Sequence, residues 1–487
     1  MMAFLGFDSP QDGLWVCEGF VSPEDKSESD YVLLPLEVPE GVIRLDVSYE
    51  YSDETSADLW ASPGNVVDLG VFDSRGAEFV HGRGFRGTSG SSRHQVSIGL
   101  DDATPGYLPG PIYPGVWNVM LGLYRIVPQG CHYKVTVRFT PGDGDPMPVP
   151  ELHDAGVLCD QARWYPGDLH CHTHHSEASG SMEDLVRAAH ERGLEFLAIT
   201  EHNTVSHLAE YAGCASPSLL LIPGEEITTY YGHLNAWGIT HWHDFRARDA
   251  EEMQRIIDHC RAAGAVTSIN HPKDKGPSWR FGPLARYDCI EAWQAYWFAG
   301  NYQSLSFWDE RLRQGRRVTA VGGSDCHQAA PGKDPSPVVL GAPTTWVYAE
   351  ELSVRGILDG IRAGHVFVSS DPISGPRLNV AAHHGGRRVM AGDEISVPEG
   401  AEVTLSVEVS GGEGMMVRLV TGIGEIARTE IERNDFAFSH TLSVNGPGYV
   451  RAEVIAPPEA DLRAQPDALW VEALSNPVYL DITGRSV

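Results

Sequence analysis

The apolar positions change their period twice along the chain. Between residues 1 and 155, short runs alternate apolar and polar side chains at Tyr31–Leu36, Val42–Tyr49, Val66–Asp73, His94–Leu100, Gly115–Leu121 and Tyr133–Phe139. A period of two turns one face of an extended strand toward a core. Clusters of Gly, Pro, Ser and Asp separate the runs and supply turns. The expectation for 1–155 is therefore a β-sandwich domain. Gly82, Gly84 and Gly87 spell G-x-G-x-x-G, but no helical pattern follows, so the stretch reads as a hairpin loop and not as a dinucleotide site.

After a proline-rich join, Pro141 to Pro150, the pattern becomes one of alternating strands and helices over 156–372. Strand-like runs are Asp168–His172, Phe196–Thr200, Leu219–Thr228, His233–Ile239, Ala265–Asn270, Cys289–Trp293 and Val318–Gly322. Helical periods fall at Ser181–Arg192, Asp249–Ala263, Gln303–Gln314 and Glu351–Ala363. Ser181 with Asp184, and Asp249 with Glu252, have the spacing of helix-capping pairs. Such alternation predicts an α/β domain built as a distorted (βα)7 barrel. From 373 to 487 the period returns to two, at Glu402–Val409, Met416–Thr421, Phe436–Leu442 and Tyr449–Ile455. An immunoglobulin-like sandwich fits that spacing.

Charge narrows the partners. The chain carries 66 acidic against 36 basic residues, a formal net charge of -30, which disfavours extended contact with nucleic acid. The eight cysteines show no C-x-x-C pair. Cys171 lies between His170 and His172 and Cys326 precedes His327, which suits a reducing compartment. The opening M-M-A-F-L-G-F-D-S-P lacks the features of a signal peptide, and no apolar run is long enough for a bilayer. The expectation is a cytoplasmic protein without a membrane partner, able to self-associate through its β domains.

Metal-ligand residue types recur where the central strands end. His170 and His172 are two apart, so on a strand both imidazoles leave one face. Glu177 follows, then Glu201-His202, Glu226, His233, His271 in I-N-H-P, and Asp325 with His327 in G-G-S-D-C-H. In a barrel of parallel strands these ends share one mouth. Nine such positions exceed the needs of one ion, so two or three divalent ions are expected. Glu226 has two oxygens with which to bridge a pair. The motifs D-x-H-x-H-T-x-x-S, T-E-H-N, G-x-E, H-x-N, N-H-P and S-D-x-H, in that order, resemble the PHP (polymerase and histidinol phosphatase) superfamily of metal-dependent hydrolases. The flanking β regions and the phrase S-N-P-V-Y-L resemble its carbaryl-hydrolase-like (CehA/McbA) branch.

That resemblance implies a PHP-type barrel with His170, His172, Glu226 and Asp325 on a first metal. Glu226, His233 and His271 would hold a second, and Glu177, His202 and His327 a third. Glu177 departs from the family, which usually has Asp there, and His174 and His175 are neighbours able to substitute. Asp168 is expected to orient a ligand imidazole. An amidohydrolase barrel also opens with HxH, but it needs a modified lysine or its equivalent where this chain has Glu226. The implied ions are zinc, manganese or iron.

The implied activity is hydrolysis of a phosphoester on a small or moderate-sized substrate by a metal-bridging hydroxide, with Glu226, Asp325 and Arg280 as catalytic residues. Arg280, with Lys273 and Lys275, lies on a basic loop suited to phosphate. Hydrolysis of an aryl carbamate or carboxylic ester is the alternative, and a non-catalytic metal sensor a further one. Trp279, Trp293, Tyr296 and Trp297 offer either an apolar substrate wall or core packing, and packing is the commoner role. For Cys171 and Cys326 the expectation is packing beneath the site, and for Ser176 and Ser324 strand-end hydrogen bonding.

Overall fold

A computed structural model describes residues 7–8, 13–55, 63–146, 152–329, 338–456 and 469–483. In the N-terminal region two four-stranded sheets, antiparallel throughout, face each other. Alternate residues of the strands Tyr31–Val38, Val42–Tyr51 and Gly115–Arg125 meet between them, with Leu34, Leu36, Leu45, Val47, Trp117 and Val119 fully buried. The strand Phe85–Gly90 was not evident in sequence because it reads F-R-G-T-S-G. Gly82 and Gly84 lie in the loop preceding it and Gly87 lies within it.

The central sheet begins with Arg163–Cys171 and pairs in parallel with Phe196–His202, which pairs in parallel with Leu220–Thr229. The next strand, Gly232–Trp237, turns back as a hairpin and runs antiparallel to both neighbours. Val266–Ile269, Cys289–Gln294 and Thr319–Gly323 then follow in parallel pairs. The expected seven-fold βα repeat is therefore not what is found. The sheet is mixed and strand-rich, because Thr229 to Gly232 is too short to hold a crossover helix. Four α-helices lie in this region among the described residues. Of the capping pairs, Ser181 and Asp184 bond reciprocally. Asp249 accepts from Glu251 and Glu252, while the Glu252 carboxylate turns to the Arg248 N–H.

The sheet curls until its last parallel strand meets its first. Asp325 N–H donates to His170 O at 2.7 Å and His172 N–H to Cys326 O at 3.0 Å. A side chain at Gly323 would collide with the His170 Cβ at 2.4 Å, so this approach requires glycine. On the far side of the first strand, Thr344–Ala349 and Val366–Ser369 extend the sheet, and Val366–Ser369 pairs with Trp470–Ser475 of the C-terminal region. The C-terminal strands thus form one face that continues the central sheet and a second, separate four-stranded sheet. Their shared core includes Val403, Leu405, Val407, Leu419 and Val454. Among the described residues no helix is long and apolar enough to cross a membrane.

Candidate metal centre

All nine expected ligand residues are drawn into one connected cluster at the ends of the central strands. The His170–Cys171 strand end puts His170 and His172 side by side, with ring centroids 5.2 Å apart. Register places His202 beside Glu226 and Thr228 opposite His233. His271 and Asp325 follow their strands in left-handed backbone, with φ of 28° and 54°. That conformation is costly for residues other than glycine, and such positions gather at functional sites.

Glu226 is the hub. Its Oε1 lies 3.4 Å from His170 Nε2, 3.1 Å from His233 Nδ1 and 3.5 Å from His271 Nε2. Its Oε2 lies 3.6 Å from His172 Nε2 and 2.9 Å from His202 Nδ1. Asp325 Oδ1 closes the first group, at 3.4 Å from His170 Nε2 and 3.0 Å from His172 Nε2. Glu177 Oε1 reaches His202 Nε2 at 2.9 Å and His327 Nε2 at 3.3 Å, so the longer carboxylate does span the third group. Tetrahedral donors about 2.0–2.1 Å from one ion sit roughly 3.3 Å apart, which is the spacing seen across these groups.

The donor chemistry fits divalent ions. His170 Nε2, His172 Nε2, Glu226 Oε2 and Asp325 Oδ1 are buried and converge without forming hydrogen bonds. Buried polar atoms are rarely left so unless something else satisfies them. Burial pushes the Glu226 carboxyl up, but His170, His202 and His233 outweigh it and hold it well below the carboxylate range. Asp325 is held low in the same way, by His170, His172 and His327 against burial. His172 is pushed down to about 3 by burial and by the neighbouring His202 and His327, which keeps the ring neutral, with one nitrogen lone pair available, near neutral pH.

Several supporting residues differ from expectation. Asp168 does not orient an imidazole. Its Oδ1 accepts the His170 and Ser324 N–H groups and its Oδ2 that of Gly341, so it ties together three backbone segments. The orienting carboxylate is Glu291, in mid-strand, which accepts from His170 Nδ1 at 2.8 Å and from the His271 N–H at 2.9 Å. Asn270 donates to Glu226 and Gln294 to Asp325. His174 and His175 do not stand in for Glu177. His175 binds Ser206 and Glu210, and with His174 and Glu210 it forms a group of its own. Ser176 donates to Glu201 and Ser324 to the His170 carbonyl, while Cys171 and Cys326 pack in the core below.

Above the cluster opens a cavity of about 740 Å³ bordered by Glu177, His202, Glu226, His233, His271, Asp325, His327 and Arg280. Arg280 donates to the Tyr230 carbonyl and lies over the Tyr231 ring, at 4.9 Å. Lys273 is turned away, buried against Gln294 and Asn301, and burial lowers its ammonium to about 8. Lys275 reaches toward the Phe298 carbonyl. Trp293 and Trp297 pack in the core with Trp279 against it. The aromatic residues that do border the cavity are Tyr31, Tyr124, Tyr230 and Phe245, two of them from the N-terminal sheets.

The geometry brings buried histidines and carboxylates together in a site of the kind that holds divalent metals. Residues 168–266 match the PHP domain family model, so this stretch of the central region is similar to that family. No curated protein matches the chain. Among solved structures, it is similar to a two-domain protein "containing predicted PHP-like metal-dependent phosphoesterase" from Bacteroides vulgatus. That pair shares 18% identity over 68% of this chain and 99% of the other, with a TM-score of 0.32. A "putative metal-dependent phosphoesterase" from Bifidobacterium adolescentis shares 19% identity over 40% and 95%, with a TM-score of 0.28. An amidohydrolase from Chromobacterium violaceum with bound sulfate and no metal shares 14% over 36% and 93%, with a TM-score of 0.25.

Proposed function

We propose that the chain hydrolyses a phosphoester of a small or moderate-sized substrate at a centre of two or three divalent ions, zinc, manganese or iron. The observation that carries this reading is the convergence of buried, hydrogen-bond-free donor atoms from His170, His172, Glu226 and Asp325 beneath an open cavity. Divalent ions held there supply Lewis-acid polarisation and make hydroxide available near neutral pH. Glu226 would be shared between the first group and the group of His233 and His271. Asp325 would complete the first group, and Glu177, His202 and His327 would form the third. Gln294 holds Asp325 by Oδ2, the oxygen turned away from the histidines, and Asn270 donates to Glu226 Oε1 itself. Arg280 at the rim would grip the free oxygens of the phosphoryl group.

The tyrosine-lined wall favours a second reading on the same site, hydrolysis of an aryl carbamate or ester, as in the carbaryl-hydrolase-like branch. In either case 1–155, 156–372 and 373–487 are proposed as three structural units, the centre carrying the ligands.

The test is a hydrolysis screen on metal-analysed protein, with added manganese or zinc. Phosphomonoesters, phosphodiesters, nucleotides, aryl esters and an aryl methylcarbamate would be compared. Chelator-sensitive phosphate release supports the proposal. Turnover of the carbamate or ester alone replaces it with the second reading. Metal bound without any turnover favours a sensor.

A further inference from the structure

Ten of the 27 residues that line the cavity come from the N-terminal region, outside the metal-ligand region. Asp68, on the N-terminal strand Val66–Phe72, borders the same cavity as Glu177, His202 and Glu226. Tyr230, between the ligands Glu226 and His233, donates its hydroxyl to Asp68 Oδ2 at 2.6 Å. This tyrosine is held on two further sides. Tyr31 stacks on it at 5.5 Å and Tyr124 meets it edge-on at 5.2 Å. Behind it Gly122 leaves room for the hydroxyl, since a Cβ there would lie 2.3 Å from that oxygen. The carboxyl is therefore positioned at the cavity wall by Tyr230, which is flanked by the half-buried Tyr31 and the exposed Tyr124.

Its charge is offset only in part by Lys26. That ammonium lies over the Tyr230 ring at 4.8 Å and is itself paired with Asp30. Burial raises the Asp68 carboxyl to about 6, with Glu177 adding to the effect and the Tyr230 bond opposing it. A carboxylate kept in so poor an environment gains from a ligand that donates to it. A second phosphate at this wall would be repelled.

Resting on the hydrolase reading above, we infer that the N-terminal sheet is the substrate-selecting half of the cleft. Asp68, positioned by Tyr230, accepts a hydrogen bond from an amino or hydroxyl group on the portion of the substrate remote from the metal ligands. Tyr31, Tyr124 and Tyr230 make that portion planar and apolar around its donor. The substrate class is then a phosphoester with an aromatic body bearing one such donor.

The experiment measures binding, so it does not depend on turnover. Phenylphosphonate and its 3- and 4-aminomethyl derivatives are titrated calorimetrically into the metal-analysed full chain. At least one amino derivative is expected to bind about tenfold or more tighter than phenylphosphonate, the size of a hydrogen bond to a charged group. Asp68→Ala should erase that preference and Tyr230→Phe should reduce it. Metal content and phenylphosphonate affinity should stay within about twofold of wild type. If Asp68→Ala does not fold, Asp68→Asn replaces it and should lose most of the preference for the cationic probe. Equal affinity for all probes, a preference that survives the Asp68 variants, or no binding by the metal-loaded protein would each overturn the inference. A preserved preference with no hydrolysis of any substrate would sink the hydrolase reading instead.

Discussion

Glu291→Gln is a change of one atom that should loosen the metal centre without touching a ligand. In the structure one oxygen of Glu291 accepts from His170 Nδ1 and the other from the His271 backbone N–H. Holding the proton on Nδ1 leaves Nε2 bare, and Nε2 is the atom that faces Glu226 and Asp325. Glutamine has one acceptor for these two donors. If its oxygen keeps the backbone N–H, its amino group confronts Nδ1 and drives the imidazole proton to Nε2, where it blocks the lone pair. The lost bond is charge-assisted and buried, worth about 1.5–3 kcal/mol, or roughly 10- to 150-fold in affinity. Loss of an outer partner to a metal-bound histidine commonly costs 10- to 100-fold. Competition against a chromogenic zinc chelator would read this directly, with the melting temperature of the metal-free protein as control. Zinc affinity within twofold of wild type would refute the orienting role. So would a fall in metal-free stability large enough to account for the loss.

Three further outcomes are expected. Asp325→Ala should remove at least one metal equivalent per chain and abolish hydrolysis while leaving the circular dichroism unchanged, because the surrounding core is apolar; retained activity in a metal-depleted variant would contradict the mechanism. In the metal-free protein, stability relative to Asp68→Asn should fall as pH rises from about 4 to about 6 and then level off. The folded carboxyl is raised to about 6, so in that window the folded state holds a proton that the unfolded state has lost. The full shift of about two units would be about 3 kcal/mol, and exposure to the cavity should reduce this to roughly 1 kcal/mol; a pH-independent difference in melting temperature would rule the coupling out. Asp309→Ala should cost about 3 kcal/mol in a denaturant melt, since Asp309 on the helix Asn301–Arg313 receives both Arg451 and the Tyr449 hydroxyl from the C-terminal strands.

How much was legible in the sequence varies with the range of the interaction. The strand ends that carry His170, His202 and Glu226 were readable because a ligand type sat at the close of each apolar run, and a curled sheet collects such ends. The hairpin at Thr229–Gly232 was read as part of an alternating pattern, because periodicity reports burial and not strand direction. Glu291 was missed since it stands alone in C-I-E-A-W, with no motif; the available signal was a single carboxylate inside an otherwise apolar strand. Asp168 was misread for the opposite reason. Its motif placed it beside His170, but the backbone of the curled sheet offered it three N–H donors, and those took both oxygens. Asp68 and Tyr31 were beyond reach, because their place at the cavity depends on how two regions dock.

The pairing of Val366–Ser369 with Trp470–Ser475 has a practical meaning for anyone cutting the chain. A fragment ending near residue 372 would keep its ligand set but strip Val366–Ser369 of the partner that covers its outer edge. That edge consists of Val, Phe, Val and Ser, all buried in the intact protein. Bare apolar edges invite strand addition from other molecules. A minimal metal-binding fragment made this way should precipitate or form ladders of paired copies. Its failure to behave would then say nothing about the chemistry, and a useful boundary must lie beyond residue 475.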